Sequence, residues 1–397
     1  MKKVLFLILM CLTFLSRVNC LEINSKNVIL YNLDNNEILY EENSDEKIKI
    51  ASLTKIMTTI VAIENIEDLN SKVTINNNML KGLREQNASV AGFRVGDKLS
   101  YLDLLYAAML PSAADATQAL AISISGNVNN FVNLMNEKAI KLGMLNTNFT
   151  NTTGLDDKNN YSTLKDVAIL IKYALKNDLF KTIFETPFYT TTNGKILIRS
   201  LDKNIDQHKL DINYIKGAKT GTTDLAGLCL ASTTTYNNIN YLLITTGALK
   251  SYKTPYNILD HDKIYKYYFE NYLYHKVISK DDVLVNITNK YGEDIKILAN
   301  EDIYKYLYKE DINNIKYNYE GLNEISIFNK EEIIGKLNIN IDDDIITIDV
   351  YKPNNIDFNI LTFISIHIYT ILIPIILILL FIIGYLYDRK RVKQLSN

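Results

Sequence analysis

The sequence predicts an α+β fold with one sheet-and-helix domain, a small β-rich domain and a C-terminal apolar helix. Three observations carry this. Strand patterns stand at both ends of the stretch from 21 to about 275, and helical patterns fill its middle. From about 277 to 351 the chain alternates or runs β-branched, and residues 359–387 carry no charged side chain. Such segregation suits one α+β domain whose first and last strands share a sheet.

The chain starts with Lys2 and Lys3, an apolar run from Val4 to Phe14, and small residues at Val18 and Cys20. This is the pattern of an export signal over 1–20, cleaved after Cys20. "NVILYNLDNNEILYE" reads as a hairpin around Leu33–Asn36. A helix follows over 52–65, and Ser100 caps a second in "YLDLLYAAML", closed by Pro111. "ADATQALAISIS", "NNFVNLMNEKAIKLG" with Gly143 at its C-cap, and "TLKDVAILIKYALK" are three more. Strands then return in "KILIRS", "LCLAST" and "INYLLITTGAL", which completes a domain over 21–275. "VLVNIT", "EISIF", "EIIGKLNINI" and "IITIDVY" define a β-rich domain over 276–355.

Residues 361–387 as a helix extend roughly 40 Å, enough to cross a hydrocarbon core of about 30 Å, with Pro374 in mid-span. The tail over 388–397 opens with Asp388, Arg389, Lys390, Arg391 and Lys393, a basic cluster expected to stay cytoplasmic. The bulk of the chain is therefore expected outside the cell membrane, held by a single C-terminal span. The net charge is −2, which gives no reason to expect a nucleic-acid partner. The 27 Tyr beside no Trp reflect the biased composition rather than a binding surface. Loss of Cys11 and Cys20 with the signal leaves Cys229 alone, so no internal disulfide is expected. The four His form no ligand-like cluster, and neither metal nor cofactor is implied.

Ser-x-x-Lys occurs more than once, and three of the pairs are Ser44/Lys47, Ser52/Lys55 and Ser162/Lys165. A serine attacks only when a neighbouring base takes its proton, and lysine is such a base only when desolvation or another cation lowers its pKa. Ser44/Lys47 lies in the charged "EENSDEK" and reads as a turn. In "NNYSTLKDVAIL", Ser162 or Thr163 serves as an N-cap, and Asp166 keeps Lys165 charged. Only Ser52/Lys55 has apolar sequence on both flanks. Three residues apart on a helix, the pair shares a face, and Ser52 lies where free N–H groups and the dipole favour negative charge. Ser52 as a plain N-cap is the competing reading. Lys219-Thr220-Gly221 is the sole Lys-Thr-Gly, and a strand pattern follows it. On a strand it offers an edge to which a peptide can add. Lys219 supplies a second charge that depresses Lys55 and attracts an anion, and Gly221 permits close approach.

Ser-x-x-Lys with Lys-Thr-Gly belongs to the penicillin-recognising serine enzymes. The chain resembles the D-alanyl-D-alanine carboxypeptidases of the low-molecular-mass penicillin-binding protein family. "ASLTKIMT", "GFRVGDKLSYLDLLYAAMLPSAADATQALA", "FVNLMNEKAIKLGMLNTNFTNTTGL", "YSTLKDVAIL" and "GAKTGTTDLAG" carry the likeness, in order. The resemblance implies a penicillin-binding/β-lactamase-like catalytic domain over 21–275, with the β-rich domain and membrane attachment as family features. It implies Ser52 as nucleophile, Lys55 as base, Ser112 as proton relay, Lys219 and Thr220 on the substrate carboxylate, and the N–H groups of Ser52 and Thr222 as oxyanion hole. The partners it implies are stem peptides ending in D-Ala-D-Ala, with β-lactams as inhibitors. One position departs: the family motif is Ser-x-Asn followed by Asp-Ala, and here Ser112-Ala113-Ala114-Asp115-Ala116 puts Ala114 in place of the amide. Ser125-Gly126-Asn127 falls between two helices and does not replace it. A weak penicillin-binding scaffold and a class A-like β-lactamase are the alternatives. The latter lacks its deacylating glutamate, since neither Glu137 nor Glu185 has the required context.

Overall fold

The computed structural model describes residues 21–251, 253–289, 294–325, 332–341, 344–353, 364 and 367–395. The expected export signal lies outside the described residues. Two compact units divide at Tyr268/Phe269, and strand pairing in the second starts at Tyr272.

In the first unit, β1 (Asn27–Asn32) and β2 (Glu37–Glu42) form the expected hairpin. A 3₁₀ turn over Ala51–Leu53 leads into α1 (Thr54–Asn65). Next come β3 (Lys72–Thr74), α2 (Asn77–Leu80), β4 (Lys98–Ser100) and α3 (Tyr101–Met109). Ser100 caps α3 in a reciprocal box with Asp103, which satisfies two of its orphan N–H groups. α4 (Ala114–Ser125) and α5 (Val128–Leu142) meet at Gly126 and Asn127, the C-cap of one and the N-cap of the other. Gly143 closes α5 in the left-handed region, as its position in the sequence anticipates.

α6 (Leu164–Ala174) is capped by Thr163 rather than Ser162. α7 (Asp178–Glu185) and α8 (Ser200–His208) flank the short pair β5 (Phe188–Thr190) and β6 (Ile196–Ile198). β7 (Ile215–Thr223), β8 (Gly227–Tyr236), β9 (Ile239–Ala248) and α9 (Tyr256–Asn271) complete the unit. The sheet runs β2-β1-β9-β8-β7, so the first strand pairs with the last of the unit and β7 forms an edge. Lys-Thr-Gly lies inside β7, not ahead of the strand.

α1 is the centre of the helical layer. Every residue from Thr54 to Ala62 is buried, with α3, α4, α5, α6 and α7 packed around it. Ile56, Met57, Ile60 and Val61 each contribute on the order of 1.5–3 kcal/mol by burial. On the other side of the sheet, α9 is fastened by a polar knot. Ser232 Oγ lies 2.7 Å from His261 Nδ1 and 3.0 Å from Tyr265 Oη, and Thr245 Oγ1 lies 3.1 Å from His261 Nε2.

The second unit is β-rich. β10 (Tyr272–Ile278) pairs with β13 (Ile303–Tyr308), and β11 (Val283–Asn289) lies between β12 (Asp294–Leu298) and β15 (Glu324–Ile325). β14 (Lys316–Gly321), β16 (Ile333–Ile341) and β17 (Asp344–Tyr351) form the third sheet. Val277, Ile287, Ile325, Leu337, Ile339 and Val350 share its core. α10 (Ile368–Leu395) is one helix through Pro374 and continues into the basic tail. Its stretch Ile368–Arg391 is long and apolar enough to cross a membrane.

Burial lowers His261 from 6.5 to about 3, so the folded chain keeps it neutral. The unfolded chain takes up that proton near pH 6.5, and stability is therefore lost as pH falls from about 6.5 towards 3. Urea unfolding should show a loss of up to about 1.4 kcal/mol per pH unit in that window. His261→Gln should remove that part of the slope.

Candidate active site

The turn that carries Ser52 is built by the 3₁₀ segment that precedes α1. Ala51 has φ +45°, which turns the chain sharply before the helix. Ser52 caps nothing: Ile50 and Leu53 occupy the cap positions, and neither cap is made by a side chain. The hydroxyl is thus left for other work, and the N-cap reading of Ser52 is set aside. Lys55 Nζ stands 2.8 Å from Ser52 Oγ and donates to the Thr153 carbonyl at 2.5 Å. Lys55 is 2% exposed, since α1 is wrapped on all sides.

That burial lowers Lys55 from 10.5 to about 7, with the Asp115 carboxylate pulling the other way. Desolvation, rather than Lys219, is therefore the agent that depresses it. Lys219, itself fully buried in β7, is pushed well down by desolvation and then by the charge of Lys55. Its Nζ donates to the Thr220 carbonyl at 3.1 Å.

Gly221 explains how the edge strand reaches the turn: a Cβ there would stand 2.9 Å from Ser52 N and 3.0 Å from Ala51 Cβ. Thr222 follows, its hydroxyl donating to the Gly221 carbonyl at 2.8 Å. Cys229, opposite Gly221 on β8, is a free buried thiol whose pKa burial raises to about 12.

Ser112 sits between α3 and α4 with φ +61°, and its Oγ is buried without a hydrogen-bond partner. It is therefore bonded to neither Ser52 nor Lys55. Ala114 is buried at the first turn of α4. Asp115 accepts the N–H groups of Ala91, Gly92 and Phe93, tying the 89–93 loop to α4.

Ser44/Lys47 and Ser162/Lys165 are separated from this centre. Ser44 Oγ bonds Glu41, and Ser162 Oγ lies 2.7 Å from Thr147 Oγ1. Lys165 pairs with Glu41 and Asp45. Asp166, expected as its partner, instead accepts from Asn146 N and Thr147 Oγ1.

Sequence reasoning missed the fourth wall. The turn Asn151–Gly154 supplies the Thr153 carbonyl, and a Cβ on Gly154 would lie 1.8 Å from the Ala51 carbonyl oxygen. A backbone acceptor has no side-chain signature, so Gly154, at φ +78°, was the one available signal.

A serine held against a desolvated lysine beside a buried Lys-Thr-Gly strand defines a Ser-Lys serine hydrolase. The sequence model of D-alanyl-D-alanine carboxypeptidases matches residues 15–250, and that of the penicillin-binding protein 5 C-terminal domain matches 272–357. D-alanyl-D-alanine carboxypeptidase DacA of Haemophilus influenzae is 30% identical, covering 80% of this chain and 81% of its own. DacF of Bacillus subtilis is 28% identical, over 76% and 77%. Among solved structures, penicillin binding protein 5 from Haemophilus influenzae superposes with TM-score 0.61 at 26% identity, over 83% of this chain and 96% of that one. The chain belongs to the D-alanyl-D-alanine carboxypeptidase family and is a serine carboxypeptidase. A relative from Pseudomonas aeruginosa, 30% identical over 58% of this chain and 74% of its own, is named D-alanyl-D-alanine endopeptidase.

Two outcomes follow from this geometry. With Lys55 near 7, acylation by a β-lactam should rise with pH through about 7, and at pH 6 run at about a tenth of its plateau. Gly154→Ala forces a Cβ into the Ala51 carbonyl at a left-handed φ. It should cost about 3 kcal/mol or more and abolish acylation, as read by thermal melting and penicillin labelling.

Proposed function

We propose that this enzyme removes the terminal D-alanine from peptidoglycan stem peptides through an acyl-enzyme at Ser52, and that β-lactams trap it there. The observation that carries the reading is the 2.8 Å pair of Ser52 Oγ and Lys55 Nζ, with the lysine lowered to about 7. Neutral Lys55 takes the Ser52 proton as Oγ bonds to the carbonyl between the two D-alanines. The proton passes by way of Ser112, whose hydroxyl has no competing partner, to the amine of D-alanine as the peptide bond breaks. Water then attacks the ester, returns the proton to Ser52 and frees the shortened peptide.

The substrate lies along the β7 edge, its carboxylate on Lys219 and Thr220, close to Gly221. Its carbonyl oxygen accepts from the N–H groups of Ser52 and Thr222, donors that strengthen as negative charge develops there. A carboxylate arriving beside Lys219 also restores the charge that burial suppresses. The span over 361–387 anchors the protein, with the catalytic unit outside the membrane and the basic tail over 388–397 inside. The export signal over 1–20 and the domain limits 21–275 and 276–355 belong to the same proposal.

Ala114 favours a second reading, a binding scaffold with little turnover. Release of D-alanine from a synthetic stem peptide separates the two. Penicillin-sensitive release supports the carboxypeptidase, and a folded protein that labels with penicillin yet releases none supports the scaffold. Ser52→Ala should abolish both labelling and release, whereas Ser162→Ala should leave them intact. Ala114→Asn should raise turnover by one positioning hydrogen bond, about tenfold. Labelling that persists in Ser52→Ala would overturn the nucleophile assignment.

A further inference from the structure

Ala114 takes from this site the amide that the family motif carries, yet Lys55 is still held firmly. We propose that Asn151 is a positioning residue for Lys55: it sets the Asn151–Gly154 turn so that the Thr153 carbonyl orients the amine. Its kinetic consequences rest on the acyl-enzyme reading above.

All the hydrogen bonds of the Asn151 amide that the structure records are spent on this one turn. Oδ1 accepts from Thr153 N at 3.1 Å, Thr153 Oγ1 at 3.0 Å and Gly154 N at 2.7 Å. Nδ2 donates to the Leu155 carbonyl at 3.1 Å. The turn so fixed presents two successive carbonyls to α1. Thr152 O accepts from Thr58 Oγ1 at 2.8 Å, and Thr153 O from Lys55 Nζ at 2.5 Å. Lys55 and Thr58 are three residues apart and share a face of the helix, so the two carbonyls dock together.

The chemical purpose concerns the neutral amine. A neutral lysine has two N–H bonds and one lone pair, and it is a base only if the lone pair faces the proton it takes. A carbonyl that engages one N–H leaves fewer orientations open and turns the lone pair towards Ser52 Oγ. A misplaced carbonyl would let the amine rotate away.

Other contacts hold the surrounding loop, so the effect of Asn151 is local. Lys49 Nζ donates to the carbonyls of Asp157, Lys158 and Asn160. Asn160 Oδ1 accepts from Thr150 N, and Ile48 bridges Ser162. Removal of the Asn151 amide leaves all of these in place.

The test compares Asn151→Ala, Asn151→Asp, Ala114→Asn and the double variant Asn151→Ala/Ala114→Asn in the full chain. The measurements are acylation by a fluorescent penicillin across pH, thermal melting, and NMR titration of the lysine Cε carbons. Asn151→Ala should melt cooperatively, acylate about tenfold more slowly or worse, and move the acid limb by about half a pH unit or more. Asn151→Asp keeps the acceptor for all three donors but loses the donor to Leu155 and brings a negative charge to the turn. It should therefore acylate faster than Asn151→Ala, with its acid limb moved to higher pH. In the double variant, Asn at 114 should recover much of the lost rate.

A cooperatively folded Asn151→Ala that acylates at the parent rate with its acid limb unmoved overturns the proposal. So does a slow one that Asn at 114 does not rescue and whose Lys55 titration is unchanged. A parent protein that never acylates, but whose Lys55 titration moves in Asn151→Ala, removes the acyl-enzyme reading and leaves the positioning role standing.

Discussion

Desolvation of one amine organises this molecule. Lys55 lies on a helix buried along its first nine residues, and the surrounding helices deny its charge the water it would need. The domain is arranged so that this unfavourable placement is tolerable: a carbonyl and a hydroxyl receive the N–H groups, and Asp115 sits close enough to act on its charge. A half-buried lysine in the same motif behaves otherwise. Lys165, paired with Glu41 and Asp45 at the surface, has its pKa raised and cannot accept a proton near neutrality. Burial of the lysine therefore sets Ser52/Lys55 apart from Ser162/Lys165.

The site is assembled from four distant stretches of chain, and close backbone approach joins them. Gly221 lets the edge strand lie against the Ala51–Ser52 turn, and Gly154 lets the loop after α5 lie against the other side of the same turn. Ala51, in the left-handed region, is clasped between them.

Much of this was legible beforehand. Ser100 with Asp103, Gly143 and the β1–β2 turn announce themselves because caps and tight turns demand particular residues. The pairing of β1 with β9 followed from strands at both ends of a helical stretch. α7, α8 and α9 were not foreseen; α8, in "SLDKNIDQH", buries only Leu201 and so has little apolar periodicity to reveal it. Ser52 with Lys55, and the buried KTG, stood out because flanking hydrophobicity is a proxy for desolvation. The partner of Lys165 and the Thr153 carbonyl did not, since one depends on a fold-level neighbour and the other on backbone.

Two amines buried at the heart of a domain also set the solution conditions that suit it. Burial withholds protons that Lys55 and Lys219 take up freely once the chain unfolds. Between the ordinary lysine value and the lowered one, each therefore costs stability as pH falls. The folded domain is favoured most in alkaline solution, where the unfolded chain gives up the same protons.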